Sequence, residues 1–212
     1  MDKIVWNETP IRTTNNFGIN DIVLENCVIP EDIGKFNNIN VISSSSNVIM
    51  KETVENFEVM YGVSKQLISQ AYENSNHELD IEFSDKNNKD NVVINYLFDE
   101  ENNKLVSKIQ IVASDNTKSS VVIKYDSKDI EYGYNNLVLK VNAKKSSYLD
   151  VIVVNNLGEK LNNFMSVDVI QDDDSNVDFK FVDFGGKTSI TNYCTNLKGE
   201  SSKNTVNTMY IG

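Results

Sequence analysis

From His77 onward the chain alternates apolar and polar residues with a period of two, in run after run. In HELDIEF (77–83), Leu79, Ile81 and Phe83 alternate with Glu78, Asp80 and Glu82. KIQI (108–111), SVVIKY (120–125), NLVLKV (136–141), YLDVIVV (148–154), SVDVI (166–170), VDFKFVDF (177–184) and NTVNTMYI (204–211) follow. A period of two sends successive side chains to opposite faces of a strand, so each run is a strand with one buried face. Asn, Asp, Ser and Gly bound the runs, and these residues turn a chain at little cost. Only 2 prolines occur in 212 residues, which leaves nearly every backbone N–H free to join a ladder. This part of the chain is all-β.

The preceding residues follow another pattern. Ile22-Val23-Leu24 and Asn40-Val41-Ile42 predict short strands, and Ser43 to Ser46 a loop. In ETVENFEVMYGVSKQLISQAYEN (52–74), Val54, Phe57 and Tyr61, then Leu67, Ile68 and Ala71, recur at three- and four-residue steps. That spacing predicts one helical face, divided into two short helices at Gly62. The expected organisation is a small α/β N-terminal region (1–76) before a mainly β core (77–212).

Two β architectures compete for the core. Asn155-Asn156-Leu157-Gly158 ends one run and Asp183-Phe184-Gly185-Gly186 another, with Gly158 and Gly185 27 positions apart. In that register Val154 falls on Phe181 and Ile152 on Phe179. A strand-and-turn repeat of this length predicts a stacked solenoid, with a sandwich as its rival.

Charge and cysteine usage narrow the function. A net charge of −11 without a Lys/Arg cluster argues against a nucleic-acid partner. No N-terminal apolar run has signal-peptide length, and the apolar runs, Val151 to Val154 among them, are too short to span a membrane. Cys27 and Cys194 are expected to be reduced cysteines of a cytoplasmic protein.

The stretch DFGGKTSITNYCTNLKGESS (183–202) carries a resemblance. Gly185-Gly186, Asn192 and Leu197-Lys198-Gly199-Glu200-Ser201-Ser202 resemble, at their spacing, the core of the SufB/SufD family, and the SufD side more closely. YLDVIVVNNLG upstream is similar to the preceding coil of that family. The resemblance extends from about Asn136 to Gly212 and is weak before Asp90. It implies a right-handed parallel β-helix acting as a non-enzymatic scaffold subunit in cytoplasmic iron–sulfur cluster assembly. It also implies pairing with a SufB-like subunit through the β-helix, and with a SufC-like ATPase through a C-terminal helical domain. SufB-type members carry Cys-x-Leu-Arg/Lys-Gly where this chain has Thr195-Asn196-Leu197-Lys198-Gly199. Cys194 stands one position earlier, on the opposite strand face, and does not inherit that cysteine's role.

The remaining residues offer weak chemistry. Gly185-Gly186 is expected to turn a corner at positive φ, and the Thr/Ser/Asn run to form a polar strand. Cys194 and Cys27 are expected to pack as small hydrophobes. His77, the only histidine, is expected to cap the helix or the strand entry, since it has no second ligand for a metal. Asp172-Asp173-Asp174 lacks the spaced ligands and glycine of a calcium loop and predicts an acidic turn. Glu100-Glu101 or Asp178/Asp183 could imitate a glycosidase pair, which keeps a carbohydrate-binding or carbohydrate-cleaving solenoid as the alternative function. Phe179 and Phe181 alternate with Asp178 and Lys180 as core residues do, and no export signal accompanies the chain.

No catalytic, cofactor-binding or metal-binding residue is assigned. The strand-like ending NTVNTMYIG predicts that the reading frame continues past Gly212 and that this piece holds no complete site. The same reasoning predicts no binding to the ATPase by this piece alone, and allows a homodimer through its open end.

Overall fold

The computed structural model describes residues 4–5, 23–24, 27–87 and 89–211. The expectations for Ile22 and Gly212 lie outside them. The eight alternating runs, the polar run expected around Thr188–Leu197 and one further segment, Lys89–Phe98, form ten long strands: β5 (His77–Phe83), β6 (Lys89–Phe98), β7 (Lys104–Ala113), β8 (Lys118–Ser127), β9 (Gly133–Ala143), β10 (Tyr148–Asn156), β11 (Leu161–Gln171), β12 (Asn176–Asp183), β13 (Thr188–Leu197) and β14 (Lys203–Tyr210). Among these ten, odd-numbered strands stack in one parallel sheet and even-numbered strands in the other, so no two consecutive ones pair. The result is a parallel β-solenoid of about 5 turns.

Stacking repeats at a variable period. Hydrogen-bonded side chains on neighbouring coils lie from 26 to 34 residues apart. In the even sheet Val92 lies beside Val121, Val121 beside Val151, Val151 beside Phe179, and Phe179 beside Val206. The inward residues of both sheets form one continuous core between them. Phe179 and Phe181 belong to it, as alternation predicts, with ring centroids 4.7 Å apart. The register read from the glycines is corrected by one residue. Val154 pairs with Val182 and Ile152 with Lys180, so Val153 and Val151 lie beside the two phenylalanines. A one-residue slip would have put a core ring opposite an outward valine.

One turn recurs after β7, β9, β11 and β13, each time leading into the following even strand. Asn116, Ser146, Asp174 and Ser201 all have positive φ, between 55° and 61°. In each turn the next hydroxyl donates back to the carbonyl three residues earlier: Thr117 to Ser114, Ser147 to Lys144, Ser175 to Asp172, and Ser202 to Gly199. The turns also stack. Asn116 N–H donates to Lys145 O, Ser146 N–H to Asp173 O, and Asp174 N–H to Glu200 O.

The N-terminal elements close one end and cover one face. Strands β1 (Ile4–Val5) and β2 (Val23–Leu24) pair with each other. Strand β3 (Ile39–Ser43) pairs antiparallel with β6, and β4 (Ile49–Lys51) antiparallel with β5, which extends both sheets by one strand. Helix α1 (Lys65–Asn74) starts at Ser64, whose hydroxyl accepts from Gln66 N–H. It buries Leu67 and Ala71 against Val106, Tyr134, Val138 and Phe164 on the outer face of the odd sheet.

A second helix before Gly62 does not form. Residues 53–59 are irregular, and the main-chain groups a helix would bond internally are taken elsewhere. Val54 N–H donates to Glu78, while Phe57 O and Glu58 O accept from Tyr72 and Lys140. Val54, Phe57 and Val59 are also poor helix formers.

Candidate functional site

The motif residues 183–202 build stacking contacts. Gly185 and Gly186 hold φ of 104° and 149°, as a corner requires, and a Cβ on Gly186 would press on Leu161 O. Asp183 is buried inside this corner, where its carboxylate accepts from Gly185 N–H, Asn155 Nδ2 and the Ser189 hydroxyl. Gly199 lies directly on the turn of the coil below, and a Cβ there would overlap the backbone of Asp172 and Asp173. Lys198 N–H and Gly199 N–H both donate to Gln171 O.

The other sequence candidates take structural places. Asp172-Asp173-Asp174 is an acidic turn, with Lys144 Nζ 3.4 Å from Asp172 and Lys145 Nζ 3.9 Å from Asp173. Asp178 points outward to Lys180 at 2.7 Å, while Asp183 points inward, so the two carboxylates do not form a pair. Glu100 and Glu101 lie in the exposed turn after β6, where Glu101 N–H donates to Asp99.

His77 opens β5 and faces the even sheet, where its Nδ1 lies 2.9 Å from the Tyr96 hydroxyl. Burial pushes the imidazole down to about 4. Cys27 is a free buried thiol pushed up to about 11, mainly by burial. Cys194 is half-buried on β13 beside Asp168 of β11, with Tyr193 turned into the core. Burial and the Asp168 charge raise its pKa, against a smaller lowering by Lys140, so the thiol is held protonated.

The side chains that do converge were not singled out by the sequence. On the outer face of the odd sheet, Lys108 and Lys140 are 3% and 6% exposed. Lys108 pairs with Glu78 at 3.0 Å, and Lys140 with Asp168. Alternation with Ile and Val marks both lysines as outward, which in most sheets means solvated. Here residues 52–63 cover them. Lys108 Nζ donates to Asn56 Oδ1 at 3.2 Å and Lys140 Nζ to Glu58 O at 3.0 Å. A cleft of about 700 Å³ opens between this cover and β11–β13, with Phe57, Met60 and Ile170 on its apolar walls and Asp168, Asn196 and Lys198 among its polar groups. One oxygen of Asp168, and the side-chain oxygen of Asn192, are buried without a hydrogen-bond partner among the described residues.

The coil at the other end of the stack is more open. Strands β13 and β14 are the last in their sheets, and Leu197, Val206, Met209, Tyr210 and Ile211 are exposed there. Such strands can accept a further strand along their free edges. Among the described residues, no three His, Cys, Asp or Glu side chains are grouped to hold a metal ion, and no helix is long and apolar enough to cross a membrane.

Residues 96–212 match the family model described as SUF system FeS cluster assembly, SufBD core domain. No curated protein and no solved structure matches the chain.

Proposed function

Because the chain belongs to the SufBD core-domain family of the SUF system for iron–sulfur cluster assembly, we propose that it acts there as a non-catalytic scaffold subunit of a SufBCD-type complex, on the SufD side. The observation that carries this reading is the use of the motif residues. Gly185, Gly186 and Gly199 serve close coil stacking, and Ser202 closes a turn shared with three earlier coils. Residues spent on coil geometry specify a surface, and a surface is what a scaffold supplies. The open strands β13 and β14 support pairing with a SufB-like subunit by edge addition. The cluster would be the cargo of the assembled complex, in the cytoplasm, with no cofactor resident in these residues. Contact with the SufC-like ATPase, which the family resemblance assigns to a C-terminal helical domain, is not expected of these residues.

The test is co-expression of the protein with candidate SufB-like and SufC-like subunits. Co-purification with either supports the proposal, and failure with both overturns it. Calorimetric titration of the 212-residue chain with the ATPase is expected to show no micromolar binding. Tight binding would place the ATPase contact within these residues.

A further inference from the structure

Strands β3 and β4 are the outermost strands of the even and the odd sheet, and no further coil among the described residues stacks on them. Val41 pairs with Ile94 and Met50 with Ile81, so both point between the sheets, as their fully buried partners do. Yet Met50 is 39% exposed, and Ile39 and Val41 are half-buried. A pocket of about 620 Å³ opens here, with Phe36, Ile39, Val41, Met50, Leu79 and His77 in its walls. The core of the solenoid is thus reachable from this end, through an opening large enough for a small molecule.

One hydrogen-bond donor stands in this apolar wall. The Tyr96 hydroxyl is buried and keeps its proton, because burial raises its pKa well above the ordinary value. Its one partner among the described residues is His77 Nδ1, at 2.9 Å. A buried hydroxyl with no other acceptor donates to that nitrogen, so the neutral ring carries its own proton on Nε2. Nε2–H has no partner among the described residues. Glu78 does not compete for it: its carboxylate accepts from Val54 N–H and the Ser75 hydroxyl and pairs with Lys108.

We infer that the pocket between β3 and β4 binds a small neutral carbonyl compound, an amide, ester or ketone with an apolar body, whose oxygen accepts from His77 Nε2–H. A hydrocarbon would cover that N–H and leave it unpartnered. A carboxylate would bring its charge into a pocket lined by two acids, Glu52 and Glu78, and one lysine, Lys51.

The probe is propionyl-dimethylaminonaphthalene, a neutral ketone whose emission shifts with the polarity around its carbonyl. It is titrated against the full chain at neutral pH, with nonanamide and nonanoate as competitors. Saturable binding, displaced by nonanamide and far less well by nonanoate, is expected. Met50→Glu, at an exposed position, should abolish the binding, while Met209→Glu on β14 should leave it unchanged. His77→Phe should weaken it about fivefold, the loss of one neutral hydrogen bond. The inference is overturned if no probe binds or if nonanoate displaces it equally well. It is also overturned if binding survives Met50→Glu or if a folded His77→Phe variant binds undiminished. Should His77→Phe not fold, the imidazole nitrogen shifts of the unaltered chain decide. Movement of the Nε2 signal on adding nonanamide supports the inference, and an unmoved signal refutes it.

Discussion

The two sheets of the solenoid have the same strand geometry and opposite outer faces. Strands β9 and β11 are buried on both faces for almost their whole length, whereas β8, β10 and β12 alternate between buried and half-exposed residues. The difference comes from the N-terminal region, which lays helix α1 and residues 52–63 on the outer face of the odd sheet. A polar residue pointing outward from the even sheet stays in water. The same residue on the odd sheet is buried and must be partnered. Lys180 and Lys140 show the contrast: the first is partly exposed beside Asp178 and Asp150, the second is enclosed with Asp168 and the Glu58 carbonyl.

The largest test of this contrast is a pair of truncations. Phe164→Ala removes a fully buried ring from the outer face of the odd sheet and is expected to cost about 3–5 kcal/mol in urea denaturation. Ile152→Ala, on the half-exposed outer face of the even sheet, should cost about 1 kcal/mol. Similar losses at both sites would show that the two faces are alike in solution.

Charge removal gives a second pair. Lys140→Met leaves Asp168 buried without its counter-ion and is expected to cost roughly 3–5 kcal/mol, with Asp168→Leu added to it restoring most of the loss. Lys180→Met breaks a partly solvated pair and should cost under about 1 kcal/mol. Equal urea midpoints for the two single variants would contradict the burial of Lys140.

His77 links the sheets, and its effect is smaller and depends on pH. Its folded pKa of about 4 lies below the ordinary 6.5, so the folded state holds the neutral ring and the unfolded chain takes up the proton first. Its contribution is complete above about pH 6.5 and is lost as pH falls from there toward 4, by roughly 3 kcal/mol in all. His77→Gln should flatten that part of the stability profile. A profile unchanged by the substitution would mean that His77 is solvated.

The smallest expected effect is on reactivity. Cys194, with its pKa raised by burial and by Asp168, should react with iodoacetamide at pH 8 several-fold more slowly than a free thiol. Reaction at the free-thiol rate would show that the outer face of β13 at Cys194 is open to solvent.

Much of this molecule was legible in the sequence, in proportion to how local its causes are. Alternation marked the strands and put Phe179 and Phe181 in the core, because a strand's two faces follow from its own backbone. Gly185-Gly186 marked a corner for the same reason. The four recurring turns closed by Thr117, Ser147, Ser175 and Ser202 were not picked out, because their four-residue frames share too few residue types. The glycine spacing misled by one residue because coils differ in length at their corners, and only the ladder fixes which side chains meet. The apolar spacing of Val54, Phe57 and Tyr61 suggested a helix, but the polar groups that hold this segment lie on four different coils.

By itself the sequence determined a mainly β chain, most of its long strands, the inward and outward set of those, and the family of its core. These rest on neighbours in the chain and on backbone sterics. The tertiary structure decided which outward face is buried. Lys108, Lys140 and Lys180 all occupy outward positions of their strands, and nothing in the neighbouring sequence tells them apart. Which of them loses its water depends on where residues 52–74 come to rest, a long-range choice made by the helix packing on Tyr134 and Phe164.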